Sequence, residues 1–559
     1  MQPHAELARL PPELHDLVLS NLSNRERKRL RLTCSRLRDK TPLHITRVFL
    51  SANERNVDVL RAIADHDIYR TQVTELIWDD AILPAHGDSP GDVEDNEEYD
   101  PQYDPEDFFQ RYGLTDPEAS PISYVRGCEL NLSAISGRQL DYIDHPSHYS
   151  TSPPQHRDRD RQAEEQLPFP VSYAYYQGLL IQQDRVLATQ SDVAALAYGL
   201  ARFPALRRIT VTAAAHGLLY EPLYPTPMIR AFPWGFNYPL PRGWPTGRHA
   251  VSTPARAPPW DDAHKARWRG VSVVLHALAA RDDHGVSELV VEAHGLPTGL
   301  NWRLFDDPAC EEYRDLAALV RRPGFRRLDL GLLVAWEQWG AERPPFRGGD
   351  LRRLLEGAGR LEHVQIATDL TPNQDFGTGL DDDLAPPDED GLRLRDLCPV
   401  ERWPRLRHLG LNGFHLFQGD LMALLAALAL SLRNVDLSNL RFYGDGSYRS
   451  LLCDMRERLG WRDRPAHERP KVIISVGNQE GLYTGIERVI RVEGEVGSFL
   501  YDDGPNPFGS ELERAPNKIR EGFGVERDEF DPTFEKPWGD GNNALRTGKV
   551  RVGFLRGGC

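Results

Sequence analysis

Cysteine is scarce in this chain. There are six in 559 residues, at Cys34, Cys128, Cys310, Cys398, Cys453 and Cys559, far apart and never paired as C-x-x-C. That spacing excludes a zinc ribbon and a disulfide-stapled scaffold, and it suits reduced thiols in the cytoplasm or nucleus. Long apolar runs are missing as well. The longest, LMALLAALAL at 421–430, is about half of what crosses a bilayer and is predicted to be a buried helix. The first residues lack the continuous apolar stretch of a secretory leader, so no membrane association is expected. Positive charge is in deficit, with 67 Lys and Arg against 83 Asp and Glu, a net charge of -16. That balance argues against nucleic acid as a partner. Two catalytic spellings are absent, the G-x-x-x-x-G-K-[ST] phosphate loop and the H-E-x-x-H zinc helix. Asp381-Asp382-Asp383 lacks the glycine and glutamate of a calcium loop and reads as a solvated segment. No catalytic residue, metal-ligand set or cofactor is therefore assigned.

What is present divides the chain into five parts. Residues 1–45 form a small basic helical unit. Pro11 and Pro12 suit a helix start, Leu10, Leu14, Leu17 and Val18 recur at helical spacing, and Ser23 with Glu26 has the form of a capping box. Residues 46–83 read as a helix followed by a strand, with Val73, Leu76 and Trp78 alternating. Residues 84–170 are acidic and polar. The tract at 88–107 holds carboxylates without Lys or Arg, and 153–166 mixes charges without an apolar face, so most of this interval is predicted to be disordered. Short helical pieces are expected near 108–112 and 122–143. Residues 171–500 carry a repeat, and 501–559 form a Gly- and Pro-rich cap or tail for its end.

The repeat is a local pattern, apolar-x-x-apolar-x-apolar. It occurs as Leu206, Ile209, Val211; as Val286, Leu289, Val291; and as Phe325, Leu328, Leu330. Further copies are Leu361, Val364, Ile366; Leu406, Leu409, Leu411; and Leu432, Val435, Leu437. Helical patterns at 191–204, 311–324, 349–360 and 419–431 stand directly before four of the copies. A helix cannot bury its apolar face alone, so stacking of such units is the economical solution. The expected fold is α/β: a helical unit followed by an irregular, leucine-rich-repeat-like solenoid of helix-strand units with a curved parallel sheet. The aromatic stretch at 220–247 interrupts the array and is expected to cover its edge, with partner binding as the rival use.

The opening unit also resembles a known family. Leu10-Pro11-Pro12-Glu13-Leu14, Leu17-Val18-Leu19, Leu22, Leu30, Leu32, Cys34 and Arg36 follow the pattern of an F-box. This is the module by which substrate receptors join a cullin-type ubiquitin ligase through a Skp-family adaptor. Residues 41–51 and 57–80 resemble the segments that follow it in many filamentous-fungal F-box proteins, where a leucine-rich-repeat-like region comes next. The resemblance implies adaptor contact through Leu10, Pro11, Leu14, Leu17, Val18, Leu22, Leu30, Leu32 and Cys34. Arg27 and Lys28 stand where the family usually carries aliphatics, and Thr33 where it usually carries valine, so the adaptor-facing surface is expected to be less apolar. The implied function is the substrate-recognition subunit of a Skp-cullin-F-box ligase. Such a subunit has no catalytic site; its partners are the adaptor, cullin through it, and a target protein. A non-ligase F-box scaffold is the first alternative, and an enzyme with a dispersed site in 200–500 the second.

Overall fold

The structure, a computed structural model, describes residues 10–85, 121–144, 154–246, 255–334, 346, 348–369, 393–477, 488–509 and 518–538. Three short helices open it: α1 (Pro12–Ser20), α2 (Asn24–Arg31) and α3 (Ser35–Lys40). Helix α1 starts at the proline pair, where a missing N–H costs no hydrogen bond. Helix α2 starts at the capping box: Ser23 Oγ accepts from the Glu26 N–H at 3.3 Å, and the Glu26 carboxylate accepts from the Ser23 N–H at 2.7 Å.

A long parallel sheet follows. Its strands are β1 (Arg47–Leu50), β2 (Glu75–Asp79), β3 (Arg208–Thr212), β4 (Glu288–Val291), β5 (Arg327–Leu333), β6 (His363–Thr368), β7 (His408–Asn412), β8 (Asn434–Ser438) and β9 (Lys471–Ile473). They pair in the order in which the chain makes them. Helices stand before them much as the apolar spacing predicts, among them Ser191–Arg202 before β3, Glu311–Val320 before β5, Asp350–Gly357 before β6 and Gln418–Ala427 before β8.

One row of residues accounts for this register. Val48, Leu76, Ile209, Leu289, Leu328, Val364, Leu409, Val435 and Val472 are Cα partners, strand to strand, across the whole sheet. None is more than 3% exposed. Slipping any strand by one residue would turn its buried positions to the opposite face, so the aliphatic row itself pins the register. The neighbouring row on the other face is charged. Arg47 meets Glu75 at 2.7 Å and Arg208 meets Glu288 at 2.6 Å, while Arg326, just before β5 and outside the row, also reaches Glu288 at 2.8 Å.

Two expectations need correction. Residues 154–164, where mixed charge pointed to disorder, form a helix. Its inward side chains are polar: His156 Nε2 lies 2.9 Å from Asp531, and Arg159 lies 3.3 Å from Glu221. An apolar-periodicity test cannot detect a helix buried through ion pairs. Residues 122–144 form one long helix, packed through Tyr124, Val125 and Cys128. The acidic tract at 88–107 and the piece near 108–112 lie outside the described residues. The second correction concerns the C-terminal segment, expected as a cap or tail, which builds a sheet of its own. Strands β10 (Ser475–Gly477), β11 (Arg488–Arg491), β12 (Val525–Asp528) and β13 (Glu535–Pro537) form an antiparallel sheet. Arg138 of the 122–144 helix donates to Asp528 at 2.6 Å with both side chains buried, so this sheet is anchored far from the β9 end. In the 220–247 stretch Phe236, Tyr238 and Trp244 are buried, while Trp234 is 43% exposed.

A buried polar cluster sits behind the ends of β2 and β3. Asp80 accepts from the indole N–H groups of Trp78 (3.3 Å) and Trp244 (2.9 Å) and from the Gly270 amide (2.8 Å). Gly270 is required here, because a Cβ would collide with Trp78 and Asp80. Burial pushes the Asp80 carboxyl up to about 6 and that of Asp79 up to about 8. Asp79 has the Ala81 amide at 3.1 Å and His216 Nε2 at 3.6 Å. The folded chain holds a proton on Asp79 that the unfolded chain releases above its ordinary value of 3.8. This group's contribution is therefore complete at acid pH and is lost as pH rises toward 8. Asp79→Asn should remove that loss, so that the variant gains on the wild type between pH 5 and 8 in urea-unfolding midpoints. Parallel curves for the two proteins would contradict the assignment.

Candidate functional site

The three opening helices bury very little. Leu19, Leu37 and His15 are 3%, 7% and 4% exposed, whereas Leu14, Leu17 and Leu32 are 50%, 63% and 86% exposed. Of the remaining predicted contacts, Pro11 and Cys34 are exposed and Leu10, Val18, Leu22 and Leu30 are half-buried. None of the nine is fully buried. A unit of this size cannot bury enough surface to be stable on apolar contact alone. Polar bonds brace it instead. The buried Arg27 guanidinium donates to the carbonyls of Leu19 (2.5 Å), Leu22 (3.1 Å) and Pro42 (3.1 Å). Arg31 donates to those of Arg38 (3.0 Å) and Thr41 (2.8 Å). Asn24 and His44 exchange two hydrogen bonds at 2.6 and 2.8 Å, which joins α2 to the chain leading into β1.

A second feature lies on the charged side of the long sheet. A cavity of about 550 Å³ opens between β4–β8 and the antiparallel sheet; Arg327, Asp329, Asp436, Arg491, Asp528 and Glu529 are among its lining residues. Burial raises the Asp329 carboxyl, but hydrogen bonds from His363 and Arg327 outweigh it and hold it below the usual range. The His363 and His408 rings stack 3.8 Å apart, 3° from parallel. Burial, then the neighbouring His363, lowers His408 to about 4, so it is neutral near pH 7. Burial likewise raises Asp436. The cavity is thus a polar cleft lined by charges of both signs.

The outward leucines, the capping box and the leucine-proline start agree with one comparison. Residues 7–41 match the F-box domain. The match ends before the long sheet begins. A search of curated proteins returns no match to the chain.

The F-box geometry alters the expectation for its cationic positions. Arg27 does not dilute the exposed leucine surface, because it points inward and ties three carbonyls together. Lys28 is exposed. Thr33 is exposed and donates back to the Leu30 carbonyl at 2.7 Å. The basic run is therefore divided between braces and solvated charges, a division that residue types alone do not reveal.

Sequence reasoning missed the groups that meet across the cleft, because Asp528 and Glu529 reach their partners only when the C-terminal segment folds back. Of the histidines in the polar interval, His156 is buried against Asp531, and His145 and His148 lie outside the described residues. Asp381–Asp383 also lies outside them. So does the serine of Gly87-Asp88-Ser89-Pro90-Gly91, the one place where the chain spells G-x-S-x-G. A brace predicts a cost for restoring the family's aliphatic. Arg27→Leu should destabilise the F-box by at least about 2 kcal/mol, since hydrogen bonds to a charged donor are worth about 1.5–3 kcal/mol each. Lys28→Leu should stay within about 0.5 kcal/mol of wild type. Amide exchange over residues 12–40 reads both, and equal protection in the two variants would refute the brace.

Proposed function

We propose that this chain is a substrate-recognition subunit of a Skp-cullin-F-box ubiquitin ligase. F-box domains bind Skp-family adaptors, and the observation that carries the reading here is the outward exposure of Leu14, Leu17 and Leu32 on a domain too small to stand alone. Aliphatic anchors projecting from short helices are suited to a groove in another protein. Arg29 and Arg36, exposed beside them, favour an acidic partner and speed encounter with it.

The region after the F-box is, on this reading, a leucine-rich-repeat-like solenoid that holds the target. Supporting it are the sequential pairing of β1–β9 and the placement of all six pattern copies on consecutive strands β3–β8. The polar cleft supplies the groups to grip a target segment. The subunit contributes proximity: it holds a target lysine near a ubiquitin-loaded enzyme carried elsewhere in the assembly. The five described cysteines are unpaired, in keeping with a reducing compartment, cytoplasm or nucleus.

Co-purification with a Skp-family adaptor and cullin tests this reading. Each leucine buried at an interface is worth about 1.5–3 kcal/mol. Leu14→Asp with Leu17→Asp should therefore lower adaptor capture by about 100-fold or more, with β-sheet unfolding unchanged. Wild type that captures no adaptor would overturn the proposal. Capture of adaptor without cullin would instead identify a scaffold that works outside a ligase.

A further inference from the structure

Beyond the F-box, one cluster at the mouth of the cleft has the makings of a cation site. Glu292 and His294 follow β4, and Glu529 follows β12. Their ligand-capable atoms lie within 4.8 Å of one another. His294 Nδ1 is 3.0 Å from Glu529 Oε1 and 3.7 Å from Glu292 Oε1. The other ring nitrogen, Nε2, is 3.1 Å from the Tyr224 hydroxyl, and the two rings meet edge to face. The imidazole is thus held from both ends, with its side chain 11% exposed. His294 also adopts φ 51°, a left-handed conformation unusual for a non-glycine residue.

Whichever tautomer the ring adopts, a positive centre has to lie between Nδ1 and the two carboxylates, either a proton or a metal ion. A histidine whose second nitrogen is fixed by a hydrogen-bond partner is the usual arrangement at a metal. One imidazole with two carboxylates is a donor set suited to a first-row divalent ion such as Zn²⁺. All three residues line the cleft, so a fourth coordination position would face it.

We propose that His294 Nδ1 and one oxygen each of Glu292 and Glu529 bind a divalent cation of the Zn²⁺ class. The ion bridges the turn after β12 to the end of β4, clamps the antiparallel sheet over the long sheet, and leaves one position open to whatever enters the cleft. A second cluster, His276 with Glu311 and Asp315, is more open, with its histidine 65% and Glu311 60% exposed. It serves as the control.

The full chain, with accessible thiols alkylated, is titrated with Zn²⁺ by calorimetry and with Co²⁺ by visible absorption. Wild type should bind one more equivalent than His294→Ala or Glu529→Gln, and His276→Ala should retain that equivalent. Tyr224→Phe, which removes a positioning group, should weaken it about tenfold. Zn²⁺ should raise the Tm of wild type but not that of Glu529→Gln, an isosteric change at a residue 38% exposed. Equal binding and equal Tm shifts in wild type, His294→Ala and Glu529→Gln would overturn the site, leaving a proton-bridged ion pair in its place. Loss of the equivalent only in His276→Ala would overturn it as well.

Discussion

A parallel strand has to satisfy two demands at once: a continuous backbone ladder to both neighbours and one face kept dry against its helix. In this chain a single aliphatic row, from Val48 through Ile209, Leu328 and Leu409 to Val472, meets both across nine strands. Burying a side chain of this kind is worth about 1.5–3 kcal/mol relative to exposure, and the row offers one such residue per strand. Surface pairs such as Arg47–Glu75 add far less, since exposed ion pairs are worth about 0–1 kcal/mol. Because the dry face carries the stability, the opposite face is free to be polar. The charged ladder, the stacked histidines and the cleft all occupy that freed surface.

The folded-back C-terminal sheet converts this open face into a site. Asp528 is the pivot. It accepts from Arg138 at 2.6 Å and from Arg488 at 3.2 Å, and its second oxygen accepts from the Phe530 and Asp531 amides. A buried carboxylate is tolerated only when it is paired and hydrogen-bonded in this way. The same contacts set Glu529 beside His294, so the anchoring of the sheet and the geometry at the mouth of the cleft have a common origin.

Much of the architecture is legible from residue order. Pattern copies such as Leu328–Leu330 and Leu409–Leu411 mark strands because a β-strand shows the same face every second residue. Pro12 and the Ser23–Glu26 pair mark helix starts because the chemistry of an N-terminus is local. Hidden from such reading are features made by distant residues or by charge. The helix at 154–164 is held by His156 and Arg159 through partners dozens or hundreds of residues away. Arg27 reads as a surface cation until the carbonyls of Leu19, Leu22 and Pro42 are seen around it. Within the F-box, exposure of Leu14 and Leu17 follows from helical spacing, but the outward turn of Leu32 depends on where α2 ends.

The molecule therefore divides into three helices with outward leucines, which the proposed function gives to a Skp-family adaptor, and a sheet that is complete in itself. Hydrogen exchange of the full chain, free and saturated with a Skp-family adaptor, tests this division most directly. The account predicts added protection across residues 12–40, with exchange in β4–β8 and in β12 unchanged. Unaltered exchange in 12–40 at saturating adaptor, or protection arising in the cleft strands instead, would contradict it.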